Sequence, residues 1–357
     1  MFLPRRALVD EILESEGLDG IVFSHPPNLR FLTGFSGSTG CLLVTSSGVG
    51  FLTDSRYTTQ ARDQMVDVEV REAKILHKSV VEWLTELGCR RVGFEEETLS
   101  CSEMRRLREA TADIVWVPLE RSLQMLRCRK DKEEIATLEH AATIAEAAFT
   151  EVLPRLRPGT IERDFATDLE FAIRRNGGEE KSFDFIVASG PRGALPHGIA
   201  ADRVMQEGDL VTIDFGVRYA GYHHDETVTV ALGEVSDTLR SIHDIVLRAH
   251  DLAIDAVRPG ARIPDVDAVA RDYIAQCDYG DFFGHGLGHG LGLEVHEWPS
   301  LSARTDATLQ EGMVITIEPG IYLPDVGGVR IEDMILVTAS GARVLTKIDK
   351  QFRRLPV

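Results

Sequence analysis

Apolar runs that end on an acidic residue mark the second half of the chain, and one such run occurs twice. Residues 207–216 read EGDLVTIDFG and residues 311–320 read EGMVITIEPG, so five of the ten positions are identical. The acid that ends the run, Asp214 in the first copy and Glu318 in the second, keeps its place. Short apolar runs bounded by glycine are typical of strands. The pattern therefore predicts two equivalent strands, each ending on an acid.

Helical patterns precede both copies in the same order. An Arg-Pro-Gly sequence at 157–159 and another at 258–260 each separate two helix-like segments. We therefore expect two copies of a helix, helix, strand-hairpin unit that face each other across a pseudo-twofold axis, where the acids should meet. The predicted helices are 135–153 and 161–175 in the first copy and 238–257 and 266–277 in the second.

Residues 1–122 alternate strand-like and helix-like segments, which predicts a small α/β domain. Ser100 and Glu103 form a capping box that begins a helix ending near residue 112. A charged segment at 127–134 marks the boundary, so we predict domains at 1–122 and 123–357. The other predicted elements are strands at 21–23, 41–45, 50–53, 92–94 and 114–117, a helix at 78–87, and connections at 28–40 and 53–57.

Composition and charge narrow the classes of function. The chain has 357 residues, of which 43% are hydrophobic and 27% charged, as in an ordinary globular protein. Its formal net charge of −18 argues against nucleic acid or an anionic membrane as a partner. The start lacks a signal-peptide pattern, no apolar stretch is long enough to span a membrane, and the five scattered cysteines are expected to be free thiols. We therefore predict a cytoplasmic protein.

Each acid is followed by a second acid at a spacing that suits a hairpin. Asp214 and Asp225 are symmetric about residues 219–220, so a tight antiparallel hairpin would set them opposite each other. Glu318 and Glu332 are likewise symmetric about a turn-rich segment. Because like charges repel in one desolvated site, a cation must sit among the four carboxylates. Their number favours a pair of metals that share bridging carboxylates and catalyse hydrolysis.

The histidines add an imidazole to this cluster. Glycine recurs through 284–292, which is unfavourable for a helix, and in an extended chain His285 and His289 share a face. His289 is the predicted fifth metal ligand. His197 and His296 lie beside the ligand-bearing elements and are predicted to move protons or stabilise an oxyanion. Secondary metal candidates are His223 and His224, and the histidines predicted as packing or surface residues are His25, His77, His140, His243 and His250.

Taken together, these motifs resemble the Xaa-Pro peptidases, the family of aminopeptidase P and prolidase. The resemblance implies a two-domain α/β chain, with a creatinase-like α/β domain followed by a pita-bread α+β domain that has a pseudo-twofold internal repeat. Residues 32–38 and 53–57 resemble the first domain. The motifs that match the second are Asp-Phe-Gly at 214–216, Gly-Tyr at 221–222 with Asp225, His-Gly-Leu-Gly-His-Gly at 285–290, His-Glu at 296–297, Glu-Pro-Gly-Ile-Tyr at 318–322 and Arg-Ile-Glu-Asp at 330–333.

The resemblance also implies a role for each residue of the cluster. Asp214 and Asp225 would bind one metal, and His289 and Glu318 the other. Asp225 and Glu332 would bridge both metals, and Glu318 would accept a proton from the attacking water. The implied metal is manganese, with cobalt or zinc as alternatives, and the implied assembly is a homodimer. Residues implied to contact substrate, support the intermediate or orient the carboxylates are His197, His285, His296, Tyr322 and Arg330.

Two positions depart from the family pattern. Residues 227–229 read Thr-Val-Thr where the family usually has Thr-Arg-Thr, which removes one outer partner of the carboxylates. The small prolidases usually carry an arginine after His-Glu that holds the free carboxylate of a dipeptide, and Ser300 stands at that place. Because an arginine–carboxylate pair is strong and directional, its loss favours an aminopeptidase P that acts on longer peptides with proline at the second position. The alternative is an Xaa-Pro dipeptidase, with Arg304 as the substitute cation.

Three other proteins of this fold match the residues less well. A creatinase-type amidinohydrolase resembles the family with its metal ligands replaced, whereas all five ligands stand here. An inactive binding module predicts lost ligands and a charged tail. A methionine aminopeptidase would lack the N-terminal domain and the His-Glu pair at 296–297.

Overall fold

The structure, a computed structural model, describes residues 2–65, 68–119 and 121–357. The chain divides into two compact units, Met1–Arg127 and Cys128–Val357. The boundary predicted from the sequence, between residues 122 and 123, lies slightly earlier in the chain.

Helices and strands alternate through the first unit, as the sequence predicts. The helices are α1 (Phe2–Glu16), α2 (Pro26–Thr33), α3 (Thr58–Gln64), α4 (Leu76–Glu86), α5 (Cys101–Ala110) and α6 (Arg121–Gln124), followed by a 3₁₀ turn at Met125–Arg127. The strands are β1 (Gly20–Phe23), β2 (Cys41–Thr45), β3 (Gly48–Thr53), β4 (Glu69–Glu72), β5 (Arg91–Glu95) and β6 (Val115–Leu119). They form one mixed sheet in the order β4-β3-β2-β1-β5-β6.

Local sequence explains where α5 begins. The side chain of Ser100 accepts a hydrogen bond from the Glu103 N–H, and the Glu103 carboxylate accepts one from the Ser100 N–H. The predicted capping box is therefore confirmed, and it satisfies two N–H groups that the first turn of a helix leaves without partners.

The predicted connection at 28–40 is wrong in its first part, because α2 occupies it. Pro26 and Pro27 stand in the first turn, where a fixed φ and a missing N–H favour a helix start. Leu29 and Leu32 are fully buried on one face of this helix. The polar and glycine residues nearby conceal this short apolar spacing in the sequence.

The second unit contains four long helices and a set of short strands. The helices are α7 (Lys132–Val152), α8 (Glu162–Arg175), α9 (Asp237–Ala256) and α10 (Ile263–Gln276), with 3₁₀ turns at Leu153–Arg155, Gly190–Ala194 and Gly280–Phe282. The strands are β7 (Glu180–Lys181), β8 (Ile186–Ser189), β9 (Leu210–Phe215), β10 (Val217–Tyr219), β11 (Tyr222–His223), β12 (Glu226–Leu232), β13 (Gly288–Gly290), β14 (Glu297–Leu301), β15 (Val314–Ile317), β16 (Gly320–Leu323), β17 (Gly327–Arg330), β18 (Asp333–Thr338), β19 (Gly341–Val344) and β20 (Arg353–Leu355).

The order of these elements confirms the predicted internal repeat. Strand β9 lies between β8 and β12 in one sheet, and β15 lies between β13 and β18 in the other. The two Arg-Pro-Gly turns match as well, since Gly159 and Gly260 have φ values of 92° and 81°, which favour glycine. Gly159 donates its N–H to the Met205 carbonyl at 2.9 Å, and Gly260 donates to the Leu309 carbonyl at 2.8 Å. Each turn is thereby tied to the segment just upstream of its decapeptide.

The core of the second unit holds the end of β9 that carries Asp214. Asp131 caps the start of helix α7, and its side chain accepts hydrogen bonds from the N–H groups of Glu133 and Glu134. One face of α7 is buried, and its Phe149 ring stacks on Phe215 of β9 with centroids 5.8 Å apart. Burying one phenylalanine contributes about 2–3 kcal/mol. Phe215 therefore anchors the strand end that carries Asp214.

Two further features of the chain are its cysteines and the apolar character of its helices. All five cysteines are free thiols, as predicted. Within the described ranges, no helix has the length and apolar character that crossing a bilayer requires.

Candidate metal centre

Asp214 and Asp225 lie on one face of the first hairpin, although their predicted pairing is wrong. Strands β9 and β12 pair Asp214 with Thr227, and the turn is formed by residues 220–221. Both turn residues have positive φ, 46° and 76°, as in a type I′ turn. The register therefore differs from the prediction by two residues. Because side chains alternate with a period of two, such a shift leaves both carboxylates on the same face.

Glu318 and Glu332 follow the predicted register. Strands β15 and β18, and β16 and β17 beyond them, pair symmetrically about Asp325. The Glu332 N–H donates to the Thr227 carbonyl at 3.1 Å, and the Thr227 hydroxyl donates to Glu332 Oε2 at 2.6 Å. This bridge joins the two halves of the repeat at the place where the carboxylates lie.

His289 directs an imidazole lone pair at the carboxylates. It lies in the extended strand β13, as predicted, and its Nδ1 is 3.1 Å from the Gly290 carbonyl, which can only accept. Burial and the neighbouring His296 lower the pKa of His289 to about 3, so the ring is neutral at pH 7 with its proton on Nδ1. Nε2 then faces oxygens of Asp225 at 3.6 Å and of Glu318 at 3.5 Å. A lone pair that faces two carboxylates calls for a cation between them.

Burial and mutual repulsion also shift the carboxylates. Desolvation, reinforced by Asp214 and Glu318, raises the pKa of Asp225 well above its ordinary value. Desolvation and the charge of Asp225 do the same to the pKa of Glu332. Burial is the main reason that the pKa of Glu318 rises to about 8. All three shifts disfavour negative charge, and a bound cation would reverse them.

The donor set fits divalent metal ions. Ligand atoms of Asp225, His289 and Glu332 lie within 4.8 Å of one another. Asp214 Oδ1 is buried and has no hydrogen-bond partner among the described residues. Carboxylate oxygens with one imidazole suit hard or borderline divalent ions. The five predicted ligands are therefore brought together, namely Asp214, Asp225, His289, Glu318 and Glu332.

A pocket of about 460 Å³ opens over these groups. His197, His285 and His296 line it, so the structure places all three predicted substrate-side histidines at its wall. The ring of His296 lies 4.3 Å from that of His289, and burial lowers the pKa of His296. The apolar part of the wall includes Phe183 and Val295.

His285, Tyr322 and Arg330 form a chain of hydrogen bonds. Nδ1 of His285 lies 2.8 Å from the Gly286 carbonyl, and burial lowers the pKa of His285 to about 4, so Nε2 accepts from the Tyr322 hydroxyl at 2.8 Å. Arg330 donates to the same hydroxyl at 3.0 Å and to Asp214 Oδ2 at 2.5 Å. Burial opposes its charge, but Tyr322 and Asp214 raise the pKa of Arg330 well above the usual value. Arg330 thus links His285, through the Tyr322 hydroxyl, to the carboxylate of Asp214.

The two departures from the family pattern have different structural settings. Val228 is buried in the apolar core, while Thr227 and Arg330 supply contacts to the carboxylates. Ser300 lines the pocket, but Arg304 is exposed and is not among the lining residues. This loop therefore places a hydroxyl, and no arginine, against the pocket.

Sequence reasoning missed a buried charged array, which consists of His224, Glu226, Lys350, Asp333 and His250. Lys350 Nζ lies 2.5 Å from Glu226 Oε1 and 3.3 Å from Asp333 Oδ1. Nε2 of His224 is 3.2 Å from Glu226 Oε2, and Nε2 of His250 is 3.2 Å from Asp333 Oδ2. Both histidines are buried; His250 was predicted as a surface or packing residue, and His224, a secondary metal candidate, does not line the pocket. The available signal was an acid directly after Asp225 and another directly after Glu332.

A carboxylate and imidazole cluster where two repeated strand hairpins meet defines a pita-bread metallohydrolase. The chain belongs to metallopeptidase family M24, whose model matches residues 136–339. Residues 5–129 match the creatinase/prolidase N-terminal domain. The predicted fold and the resemblance to Xaa-Pro peptidases are thereby confirmed, and membership implies divalent metal ions.

Individual relatives match over nearly the whole chain. An Xaa-Pro dipeptidase of Pyrococcus furiosus is 37% identical over 96% of this chain and 97% of the relative. The structure of an Xaa-Pro dipeptidase from Bacillus anthracis superposes with a TM-score of 0.97 at 41% identity, covering 99% of this chain and 100% of the other. An X-Pro aminopeptidase from Thermotoga maritima has a TM-score of 0.89 at 38% identity, with 95% and 98% covered.

Proposed function

We propose that this protein is an Xaa-Pro dipeptidase that uses two divalent metal ions. The observation that supports a metal-dependent hydrolase is the neutral imidazole of His289, whose Nε2 faces the buried carboxylate of Asp225 and the half-buried carboxylate of Glu318. The loss of the arginine at position 300 favours aminopeptidase P, but the relatives support the alternative, an Xaa-Pro dipeptidase, better. Matches over nearly the whole chain carry the name Xaa-Pro dipeptidase, both in sequence and in structure.

The five proposed ligands would hold the metals, and manganese is the ion we propose first, with cobalt or zinc as alternatives. When bound, the ions would make a water molecule acidic near neutral pH and polarise the scissile carbonyl. Homodimer assembly and a cytoplasmic location stay predictions. The ligand residues are Asp214, Asp225, His289, Glu318 and Glu332.

Side chains around the ligands would position the peptide and move protons. Without metal, burial raises the pKa of Glu318 to about 8; bound cations would reverse this rise and keep the carboxylate ionised, so that it could accept a proton from the attacking water. His296 and His197 face the pocket and would donate N–H groups to the oxygen on which charge develops. The neutral His285 is oriented by the Tyr322 hydroxyl. The apolar part of the pocket wall excludes water and suits a proline ring.

Aminopeptidase P is the second candidate, and Ser300 is the observation that favours it. A dipeptide presents its free carboxylate next to the scissile bond, where charge-assisted hydrogen bonds from an arginine would be worth about 1.5–3 kcal/mol. Ser300 offers one neutral hydroxyl there. A longer peptide has no free carboxylate at that place, so the absence of an arginine would not weaken its binding.

The test compares Ala-Pro with Ala-Pro-Ala at equal concentration, with manganese and after chelation. We expect manganese-dependent cleavage of Ala-Pro. Ser300→Arg should raise kcat/KM for Ala-Pro relative to Ala-Pro-Ala by about tenfold or more, and the exposed Arg304→Gln should leave the ratio unchanged. Cleavage of the tripeptide alone would identify an aminopeptidase, and inactivity on both peptides with metal bound would support the binding module.

A further inference from the structure

The charged array lies directly behind the proposed bridging ligands. Glu226 follows Asp225, and Asp333 follows Glu332. Because neighbouring side chains of an extended strand point to opposite faces, the second acid of each pair points away from the pocket. The residues that line the pocket agree with this, since they include Asp225 and Glu332 but neither Glu226 nor Asp333.

Lys350 contacts both of the acids that point away from the pocket, Glu226 and Asp333. The ammonium of Lys350 contacts Glu226 at 2.5 Å and Asp333 at 3.3 Å, and the three side chains are 7%, 0% and 7% exposed, respectively. Glu226 begins β12 in the first half of the repeat, and Asp333 begins β18 in the second. Lys350 therefore connects the two ligand-bearing strands from the side opposite the pocket.

The segment that carries Lys350 makes further contacts with both acids. The Thr346 hydroxyl donates to Asp333 Oδ1, and the Ile348 N–H donates to Glu226 Oε1 at 3.2 Å. Beyond Lys350 the chain continues into β20, which pairs with β12. The segment from Thr346 to Lys350 is thus fixed to both halves of the repeat.

Removing the charge of Lys350 would also affect the carboxylates that face the pocket. The two buried acid oxygens contact the same nitrogen, so they lie no more than about 6 Å apart, and without the ammonium they would repel each other. Breaking a buried ion pair from one side is costly because it leaves an uncompensated charge. Relief by separating β12 from β18 would also move Asp225 away from Glu332.

We propose that Lys350 is a positioning residue that sets the spacing of the two bridging carboxylates for the metal pair. The inference rests on the proposed function, and it adds a role for the C-terminal segment in metal affinity. Positioning partners of metal ligands typically change metal affinity or activity by about 10–100-fold when they are removed.

The experiment measures manganese binding to the full chain after chelation, by calorimetry and by metal analysis of dialysed protein. Lys350→Met should weaken manganese binding at least about tenfold, and Lys350→Arg, which keeps the charge, should stay within about threefold of wild type. The matched control is Lys347→Met in the same segment, because Lys347 is exposed and bonds only to the Thr143 hydroxyl among its described contacts, at 2.9 Å. This control should bind manganese as wild type does.

Activity on Ala-Pro separates positioning from a merely structural role. The positioning role predicts that saturating manganese restores kcat of Lys350→Met towards wild type, with KM for the peptide unchanged. A lowered melting temperature with manganese binding within about twofold of wild type would overturn the inference. If Lys350→Met does not fold, Lys350→Gln, which keeps a hydrogen-bond donor but removes the positive charge, is held to the same criterion.

Binding of the metal needs no substrate, so the two proposals fail differently. A wild type that binds manganese but cleaves neither peptide overturns the proposed function and leaves the Lys350 comparison decisive. A wild type that binds no divalent metal overturns both.

Discussion

Arg330→Lys keeps the positive charge of a buried residue and removes its fork of donors. Arg330 is 3% exposed and donates to Asp214 Oδ2 at 2.5 Å, to the Tyr322 hydroxyl at 3.0 Å and to the Pro196 carbonyl at 3.0 Å. Its Nε lies 3.3 Å from the Thr227 hydroxyl. A lysine ammonium is compact and cannot reach acceptors on several sides at once. We expect it to keep the contact with Asp214, where the opposite charge is strongest.

The cost follows from the contacts that lysine gives up. Bonds to the Tyr322 hydroxyl and the Pro196 carbonyl are neutral-acceptor bonds, each worth about 1–1.5 kcal/mol, so about 2–3 kcal/mol is lost. Because 1.4 kcal/mol corresponds to a factor of ten, kcat/KM on Ala-Pro should fall by about 30–150-fold. The loss falls on catalysis because Tyr322 orients His285, and Asp214 is a proposed ligand.

The assay is steady-state hydrolysis of Ala-Pro at saturating manganese, with the metal content of each protein measured in parallel. Arg343→Lys is the matched control, since Arg343 is exposed and pairs with Glu139 on the surface, where an ion pair is worth at most about 1 kcal/mol. A kcat/KM of Arg330→Lys equal to that of the control, at equal metal content, would refute the reasoning.

Two further predictions concern the metals and the core. Asp225→Ala should abolish both turnover and binding of the metal pair, because Asp225 is the proposed bridging ligand and would serve both ions; metal analysis that finds full occupancy together with turnover would contradict this. Burial lowers the pKa of His243 in α9 to about 4, so between that value and about 6.5 the unfolded chain binds more protons and stability falls as the pH drops. His243→Leu should reduce the loss of unfolding free energy between about pH 7.5 and about pH 5 by about 2 kcal/mol in urea denaturation, and equal losses in both proteins would count against the buried neutral ring.

The repeat could be predicted from sequence because it depends on local patterns that occur twice. Each copy has its turn glycine, its apolar run and its closing acid in the same order. The second hairpin could also be placed, since the symmetry about Asp325 fixes its register. The first hairpin could not, because its turn puts Ala220 at a φ of 46°, which non-glycine residues adopt infrequently.

The sequence patterns do not predict contacts between segments that are distant in the chain. Lys350 reaches Glu226 and Asp333 across the fold, and nothing in its own neighbourhood distinguishes it from the exposed Lys347. Thr227 was noted in the sequence only as part of a departure, although its hydroxyl donates to Glu332. A periodic pattern reports which face a side chain takes, but not which partner the fold brings to it.

The five proposed ligands include one imidazole although the backbone around them is repeated. Ile315 in the second decapeptide pairs with Gly290, and the equivalent Val211 in the first pairs with Ser189. The residue before each partner is His289 in the second half and Ala188 in the first. The backbone therefore offers two equivalent ligand positions, and side chains occupy them differently. Because one half supplies a neutral nitrogen where the other supplies a methyl group, the two metal positions would differ in charge even though the strands that form them are related by symmetry.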